Sequence, residues 1–527
     1  MSRSTIDHRD YELLFGADAL RPGDAVVHFE HGLARYGGET TVDLGDETQV
    51  LTTFVYRNGG KLMLPAEEGR DFWPFGAPAD DVLLDRLKTD DWVRRRDEMI
   101  AELKDAATCL MEEDRERRSQ EARRLMPDAE KYAALAATFG HDETTDQARS
   151  IGAVLEDLGE DVPMDRLLVG DVGFGKTEVA LRAAAAAALS GHQVVFAAPT
   201  TVLARQHVET MRDRFGALDI AVAEISRLTD PSERDDILRA MANGETKIVV
   251  GTQALLADDI AFRNLALLII DEEQKFGREQ KLGLRDLAPG LHVLRMTATP
   301  IPRSLAAAEV GLMDISVVAT VPKGRKSVKT SIGALDLDRL RKGIAAEVGR
   351  GGQCYIVCPR IAGLDGIEDV LSQRDDVTYT VAHGQLSEDE LETRMMRFME
   401  GAVDVLLSTS IIESGLDNPR ANTMIVWNAD RFGLAQLHQL RGRIGRSDVQ
   451  AHMILLADIE GSEESDAVDR LTAFTEMSEV GAGFRIAKKD RDIRGFGALE
   501  GTEQSGQMSR LGLGLYRHIL REHLENG

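Results

Sequence analysis

The stretch Gly170-Asp171-Val172-Gly173-Phe174-Gly175-Lys176-Thr177 constrains this chain more than any other. It follows the apolar Leu167-Leu168-Val169 and opens an alanine-rich run from Val179 to Ala188. It therefore stands at the turn from a buried strand into a helix, and it fits G-x-x-x-x-G-K-[ST] in the setting that motif requires. Gly170, Gly173 and Gly175 let the backbone curl so that N–H groups and the helix N-terminus point at phosphate oxygens. Lys176 then reaches the β- and γ-phosphates, and the Thr177 hydroxyl can ligate Mg²⁺. The chain is expected to bind a nucleoside triphosphate.

From about Phe139 to Thr320, apolar strand-like runs alternate with helical segments, the signature of a parallel sheet covered on both faces. Val194 to Ala198 leads into Pro199-Thr200-Thr201, and Lys247 to Val250 leads into Gly251-Thr252-Gln253. Leu265 to Ile270 is a wholly apolar strand that ends in Asp271-Glu272-Glu273-Gln274. Carboxylates at the C-terminal end of a buried strand sit where an open α/β sheet binds its ligand. Asp271 is placed to hold Mg²⁺ and Glu272 to orient or deprotonate the attacking water. A second α/β unit, about Ser331 to Asp458, echoes the first: Asp404 to Ile412 repeats the strand, small turn and threonine (Thr409) of Lys247 to Leu255. It has no phosphate loop, so it is expected to close over the nucleotide held by the first. Its closing residues lie in Gln439-Leu440-Arg441-Gly442-Arg443-Ile444-Gly445-Arg446, where Arg443 and Arg446, three apart, share a helix face and reach the γ-phosphate.

At 527 residues the chain needs several cores. No apolar run approaches the roughly 20 residues of a membrane helix, and Met1 to Asp10 is polar, so no membrane association and a cytoplasmic location are expected. The net charge of −26 argues against indiscriminate coating of nucleic acid but leaves room for a narrow basic track. Cys109, Cys354 and Cys358 read as thiols, the last two within a strand. Between Leu20 and Pro65, short β-rich runs broken by Gly-Gly and Asn-Gly turns read as a small barrel of hairpins, with His28 and His31 structural. From Asp91 to Arg124, Trp92, Met99, Leu103, Ala106, Leu110 and Met111 fall at helical spacing, a long amphipathic connector on which Arg94-Arg95-Arg96 forms a solvated face.

Together these stretches resemble the superfamily 2 helicases and translocases, and within them the Mfd and RecG group. Gly170 to Thr177 is similar to motif I, Pro199 to Gln206 to motif Ia, Asp271 to Gln274 to motif II and Thr297-Ala298-Thr299-Pro300 to motif III. Ser408 to Pro419 is similar to motif V and Gln436 to Arg446 to motif VI. The resemblance implies that Gln147 recognises adenine, with Phe139 stacking on it, and that Gly415, Asp417 and Gln439 line the nucleotide. It implies an arginine-finger role for Arg443 and Arg446, and contact with duplex DNA through Thr200, Thr252, Thr297, Thr299 and Thr409. Arg491 to Gly497 and Gly501 to Gly506 resemble the helical-hairpin translocation element of that group, with Arg494 and Gln504 as coupling residues; Ala498 and Glu500 depart from its usual pattern.

Gly23 to Tyr36 looks like the RNA-polymerase-interacting domain shared by Mfd and CarD-type regulators, where RecG carries a larger wedge. Resemblance to the Mfd family, the transcription-repair coupling factors, covers residues 20 to 520. It implies a lead-in (1–19), a CarD/Tudor-like β-barrel that binds RNA polymerase through its β subunit (20–90) and a connector helix (91–130). Two RecA-like parallel-sheet lobes (131–325 and 326–460) and the translocation element (461–527) follow. The expected activity is ATP hydrolysis with Mg²⁺ coupled to movement on double-stranded DNA and displacement of stalled polymerase. The strand edge Val50 to Tyr56 is expected to grip the polymerase. Full-length Mfd adds a UvrB-like region and an autoinhibitory domain, so this short form is expected to run without autoinhibition and without recruiting UvrA. The rival expectations are a RecG-like remodeller of branched DNA and a polymerase-binding factor with a vestigial ATPase.

Overall fold

A computed structural model describes residues 8–15, 20–43, 48–66, 71–87, 91–298, 307–308, 311–323, 326–413, 418–446, 449–458, 465–476, 514–516, 518–519 and 521–523. The chain forms two units: residues 1–117 with 300–314 and 487–527, and residues 118–299 with 315–486.

In the first unit, β1 (Asp24–His28), β2 (Gly32–Asp43), β3 (Thr48–Val55), β4 (Lys61–Pro65) and β5 (Phe72–Pro78) form an antiparallel sheet in the order β4-β3-β2-β1-β5. The order corrects one expectation. The run Val50 to Tyr56 is not an edge, because β3 pairs with β2 on one side and β4 on the other. Asn58 (φ 67°) and Gly59 (φ 76°) form a tight turn that folds β4 straight back onto β3. The sheet's edges are β4 and β5. His28 lies in the core with its ring against Phe54, and burial, then His31, lower its pKa to about 4.

The Asp91–Ser119 helix buries Trp92, Met99, Leu103 and Ala107 against Ala25, Val27, Leu33 and Phe75, together with Leu515, Tyr516 and Ile519 from near the C-terminus. Its arginine run stays local: Arg94 pairs with Asp91 at 3.8 Å, Arg95 with Asp85, and Arg96 lies over the Phe29 ring.

The second unit holds two sheets. The first comprises β6 (Asp165–Gly170), β7 (Gln193–Ala197), β8 (Val222–Ile225), β9 (Ile248–Gly251), β10 (Leu265–Ile270), β11 (His292–Thr297) and β12 (Asp314–Val318), in the order β12-β6-β11-β10-β7-β9-β8. The second comprises β13 (Lys329–Ala334), β14 (Gln353–Val357), β15 (Tyr379–Ala382), β16 (Val405–Ser408), β17 (Ala421–Trp427) and β18 (His452–Ala457), in the order β13-β18-β17-β14-β16-β15. The neighbouring strands from β6 to β8 and from β13 to β15 in these orders are parallel. Both faces are covered: Val194 and Phe196 join the core beneath the Lys176–Leu189 helix, and Val195 and Ala197 join the core on the other side. Cys354 and Cys358 are buried free thiols, and burial pushes Cys358 up to about 12.

The two sheets correspond strand for strand, β6-β11-β10-β7-β9-β8 with β13-β18-β17-β14-β16-β15. The likeness reaches single atoms. Gln193 opens β7 and donates from Nε2 to Met241 O and Thr246 O, each at 2.9 Å; Gln353 opens β14 and donates to Phe398 O and Val403 O, each at 2.7 Å. The Thr252 amide reaches Ile225 O at 3.3 Å, as the Thr409 amide reaches Ala382 O. β10 and β17 both run into a left-handed residue, Glu272 (φ 48°) and Asn428 (φ 53°). A 3₁₀ turn and a Phe-Gly-x-x-Gln segment follow in each lobe, in which Gln280 and Gln436 accept the Gly277 and Gly433 amides. Gln353→Leu strips two buried carbonyls and the Asn418 amide of their partners. It is expected to destabilise the second lobe by on the order of 3 kcal/mol, read as a lowered denaturant midpoint.

Candidate functional site

The wholly buried β6 delivers the loop 170–175, and the Lys176–Leu189 helix starts immediately after it. Gly173 (φ 77°) and Gly175 (φ 82°) take the left-handed conformation that glycine alone adopts freely. A Cβ on Gly175 would collide with Gln147 Nε2. Gln147 sits in the first turn of the Thr145–Leu158 helix, its Oε1 accepting the Thr144 amide and its Nε2 donating to Phe174 O at 2.8 Å. The glutamine thus braces the phosphate loop directly. Phe139 is half-buried beside the Arg214 guanidinium, 5.7 Å from the ring centroid, and beside His141.

Lys176 Nζ donates to Gly170 O at 2.6 Å and Asp171 O at 3.2 Å. Burial lowers its pKa against the opposing pull of Glu272, Asp271 and Asp171, so the ammonium sits among the carboxylates that motif II delivers. Asp271 lies just beyond β10. Its Oδ1 accepts the Glu272 amide at 2.9 Å and its Oδ2 faces His207 Nε2 at 2.9 Å. Burial works to raise the Asp271 carboxyl, but the His207 contact and Lys176 hold it below its ordinary value. Glu272 Oε2 accepts from Gln274 Nε2 at 2.7 Å, and Gln274 Oε1 accepts the Thr297 hydroxyl at 2.8 Å. Motif II and the end of β11 therefore form one network.

The second lobe brings the Leu434–Arg441 helix to this place. Arg443 Nη2 lies 3.5 Å from Glu272 Oε1. Burial, then Arg446, lower the pKa of Arg443 while Glu272 supports its charge; a guanidinium remains cationic throughout. The expected shared helix face for Arg443 and Arg446 is not formed, because the helix ends at Arg441 and both arginines lie past its Gly442 cap. Arg446 Nε donates to Gly442 O at 3.3 Å, while Gln439 is half-buried on the helix itself. A Cβ on Gly442 would lie 2.9 Å from Val172 Cβ, so the helix end rests on the phosphate loop. His438 Nε2 is 2.8 and 2.9 Å from the two carboxylate oxygens of Asp171. Lys176, Asp271, Glu272 and Arg443 are thus brought together, with Thr177 opening the helix beside Lys176. The sequence reading gave no role to His207 or His438, although His207 directly follows motif Ia and His438 lies inside motif VI.

Thr200 caps the Thr201–Phe215 helix by accepting the Leu203 amide, and Thr252 and Thr409 stand just past β9 and β16. Gly415, Asp417, Thr299, Arg494 and Gln504, with Ala498 and Glu500, lie outside the described residues. Among the described residues no helix is long and apolar enough to cross a membrane.

The oxygen donors of Thr177 and Asp271 suit a hard cation such as Mg²⁺. Lys176 and the helix N-terminus, backed by Arg443, suit a polyphosphate anion. Residues 144–308 match the DEAD/DEAH box helicase family, and residues 336–448 match the helicase conserved C-terminal domain. Both matches are to helicase domains of superfamily 2. The site is that of an ATPase of this superfamily, and residues 20–71 match the CarD-like/TRCF RID domain. The chain is 40% identical to a transcription-repair-coupling factor of Escherichia coli (strain K12) over 96% of its own length and 44% of that protein's. It is 39% identical to the factor of Bacillus subtilis over 96% of its length and 43% of that protein's. The homology runs almost end to end, and the chain spans less than half the length of these relatives. A structure of RecG bound to a three-way DNA junction superposes with a TM-score of 0.68 at 28% identity, over 92% of this chain and 71% of RecG. Saccharomyces cerevisiae Dbp5 bound to RNA and ADP BeF3 shares the fold over 70% of this chain and 98% of Dbp5, at 16% identity and a TM-score of 0.52. Gly175→Ala is expected to weaken binding of a fluorescent ATP analogue more than tenfold, because the new Cβ strains the loop and displaces Gln147. Circular dichroism is expected to stay unchanged.

Proposed function

We propose that this chain is an ATP-driven translocase on double-stranded DNA that holds RNA polymerase through its N-terminal sheet and displaces stalled elongation complexes. The observation that carries this reading is the meeting of Arg443 from the second lobe with Glu272 from the first, at 3.5 Å. A site completed by two lobes changes shape with each turnover, which is what stepping along a track requires. Bound ATP with Mg²⁺ supplies the phosphoanhydride whose cleavage drives the cycle.

Lys176 and the loop amides hold the phosphates, while Thr177 and Asp271 provide oxygen ligands for the metal. Glu272, fixed by Gln274, orients the water and takes its proton; Arg443 and Arg446 offset the charge that develops on the phosphoryl oxygens. Gln147 and Phe139 are the proposed adenine contacts, joined by Gly415, Asp417 and Gln439. Thr200, Thr252, Thr299 and Thr409 are proposed to line the DNA track, with Arg494 and Gln504 coupling turnover to movement. Thr297, wholly buried at the end of β11, is not placed to touch DNA and is proposed to act only through Gln274. The Gln274–Thr297 bond gives this coupling one direct route, from the residue that fixes Glu272 to the buried end of β11 that leads into motif III.

The polymerase contact is proposed to be strand addition at β4, an edge of the first unit's sheet among the described residues, in place of the internal β3. Met63 on β4 is 45% exposed, and Val50, on the neighbouring β3, is 41% exposed. The protein is proposed to act in the cytoplasm, where DNA and polymerase are found.

Displacement of a stalled elongation complex by purified protein and ATP tests motor, track and partner together. Lys176→Ala and Glu272→Gln are each expected to lower DNA-stimulated ATP hydrolysis by at least about a hundredfold and to abolish displacement. Met63→Glu is expected to lose polymerase in a pull-down while keeping DNA-stimulated ATPase activity. Strong fork reversal without polymerase binding would overturn this reading in favour of branched-DNA remodelling. Equal ATPase rates for the wild type and Lys176→Ala would leave only a binding module.

A further inference from the structure

Asp171 is an odd residue for a phosphate loop, since it sets a carboxylate beside the anion the loop is built to hold. Its environment accounts for it. Oδ1 accepts the Val172 amide at 2.7 Å, and both oxygens face His438 Nε2 at 2.8 and 2.9 Å. The other ring nitrogen, His438 Nδ1, lies 3.2 Å from Arg441 Nη2. A guanidinium can only donate, so Nδ1 accepts and Nε2 carries the proton given to Asp171. Arg441 is anchored in turn, 4.4 Å over the Phe474 ring and 3.4 Å from Phe474 O. Burial works to raise the Asp171 carboxyl, but His438, the Val172 amide and Lys176 together hold it at about 2. It is an anion at every physiological pH.

Two contacts therefore join the same two loop residues to the same helix end. Asp171 meets His438, and Val172 meets Gly442, which has no room for a Cβ. The next residue is Arg443. Its contact with Glu272, at 3.5 Å, is too long to fix the helix end. The His438–Asp171 bond is short, spans 267 residues of sequence and joins one lobe to the other.

We propose that His438 is a positioning residue for ATP hydrolysis: by donating from Nε2 to Asp171 it locks the second lobe onto the phosphate loop and sets where Arg443 stands relative to Glu272. The inference rests on the assignment of this site as an ATPase. It gives Asp171 the role of a docking post read by the second lobe, distinct from the amides and the lysine that hold phosphate.

The test uses the full chain and steady-state ATP hydrolysis with DNA present, beside binding of a fluorescent nucleotide and thermal unfolding. His438→Ala is expected to lower kcat by about tenfold or more, with KM for ATP and nucleotide affinity changed much less, because the first lobe's phosphate grip remains. Two amides give the sharper contrast. The His438→Gln amide reaches the place of Nε2 and is expected to restore most of kcat; the His438→Asn amide reaches only the place of Nδ1 and is expected to match His438→Ala. In the double variant His438→Ala with Asp171→Ala, kcat is expected to fall no further than in the worse single variant. The inference is overturned by wild-type turnover in His438→Ala, by glutamine and asparagine acting alike, or by additive losses in the double variant. A wild-type chain that hydrolyses no ATP would instead overturn the ATPase assignment itself.

Discussion

The active arrangement depends on how closely two backbones approach at one point, where the turn at Gly442 rests on Val172 of the phosphate loop. A Cβ at Gly442 would stand 2.9 Å from Val172 Cβ, closer than atoms of that kind approach. Because this contact is tight, the residue after it, Arg443, comes within 3.5 Å of Glu272. A charge stabiliser works only when it is already placed and dry at the moment charge develops. Here one half of the site is built on β6 and β10 of the first sheet, and the other half arrives on a helix of the second.

The duplicated architecture separates what belongs to the fold from what belongs to the chemistry. Left-handed backbone at Glu272 invites a reading as strain stored for catalysis. Asn428 has the same conformation at the corresponding place in the second lobe, and that lobe has no phosphate loop. The turn is thus a device for leaving a parallel strand. The Phe-Gly-x-x-Gln segment that follows repeats as well, so the helix carrying His438 is the counterpart of the Arg278–Arg285 helix in the first lobe. Leu282 stands where the second lobe has His438, so the two copies share this frame but not the side chain that meets Asp171.

Charge at the site is arranged so that three of its buried carboxylates each meet a polar partner. Asp171 has His438, Asp271 has His207 and Glu272 has Gln274 and Arg443. Unpartnered, such groups would be driven toward the neutral acid by burial. The pairing keeps Asp171 and Asp271 ionised beside Lys176, whose charge would otherwise be costly in the same place.

The sequence by itself determined the motifs whose chemistry is local: the glycine, lysine and threonine spacing of the phosphate loop, the apolar strand that ends in Asp271 and Glu272, and the arginines of the Gln439 to Arg446 run. Their meaning depends on neighbours within a few residues, so they were legible without coordinates, as were the two parallel-sheet lobes. The repeated glutamines Gln193 and Gln353 were also legible, as Gly-x-Gln before each strand, but only once the lobes are aligned. Tertiary structure alone decided which strand of the N-terminal sheet is an edge, since Val50 to Tyr56 reads as an exposed strand until β4 is seen folded onto it. It alone decided the partners of His207 and His438, which lie 64 and 267 residues from the carboxylates they meet. Hydrogen bonds act over about 3 Å in space and ignore distance along the chain. A lone histidine in a motif therefore acquires a role only when folding brings its acceptor to it.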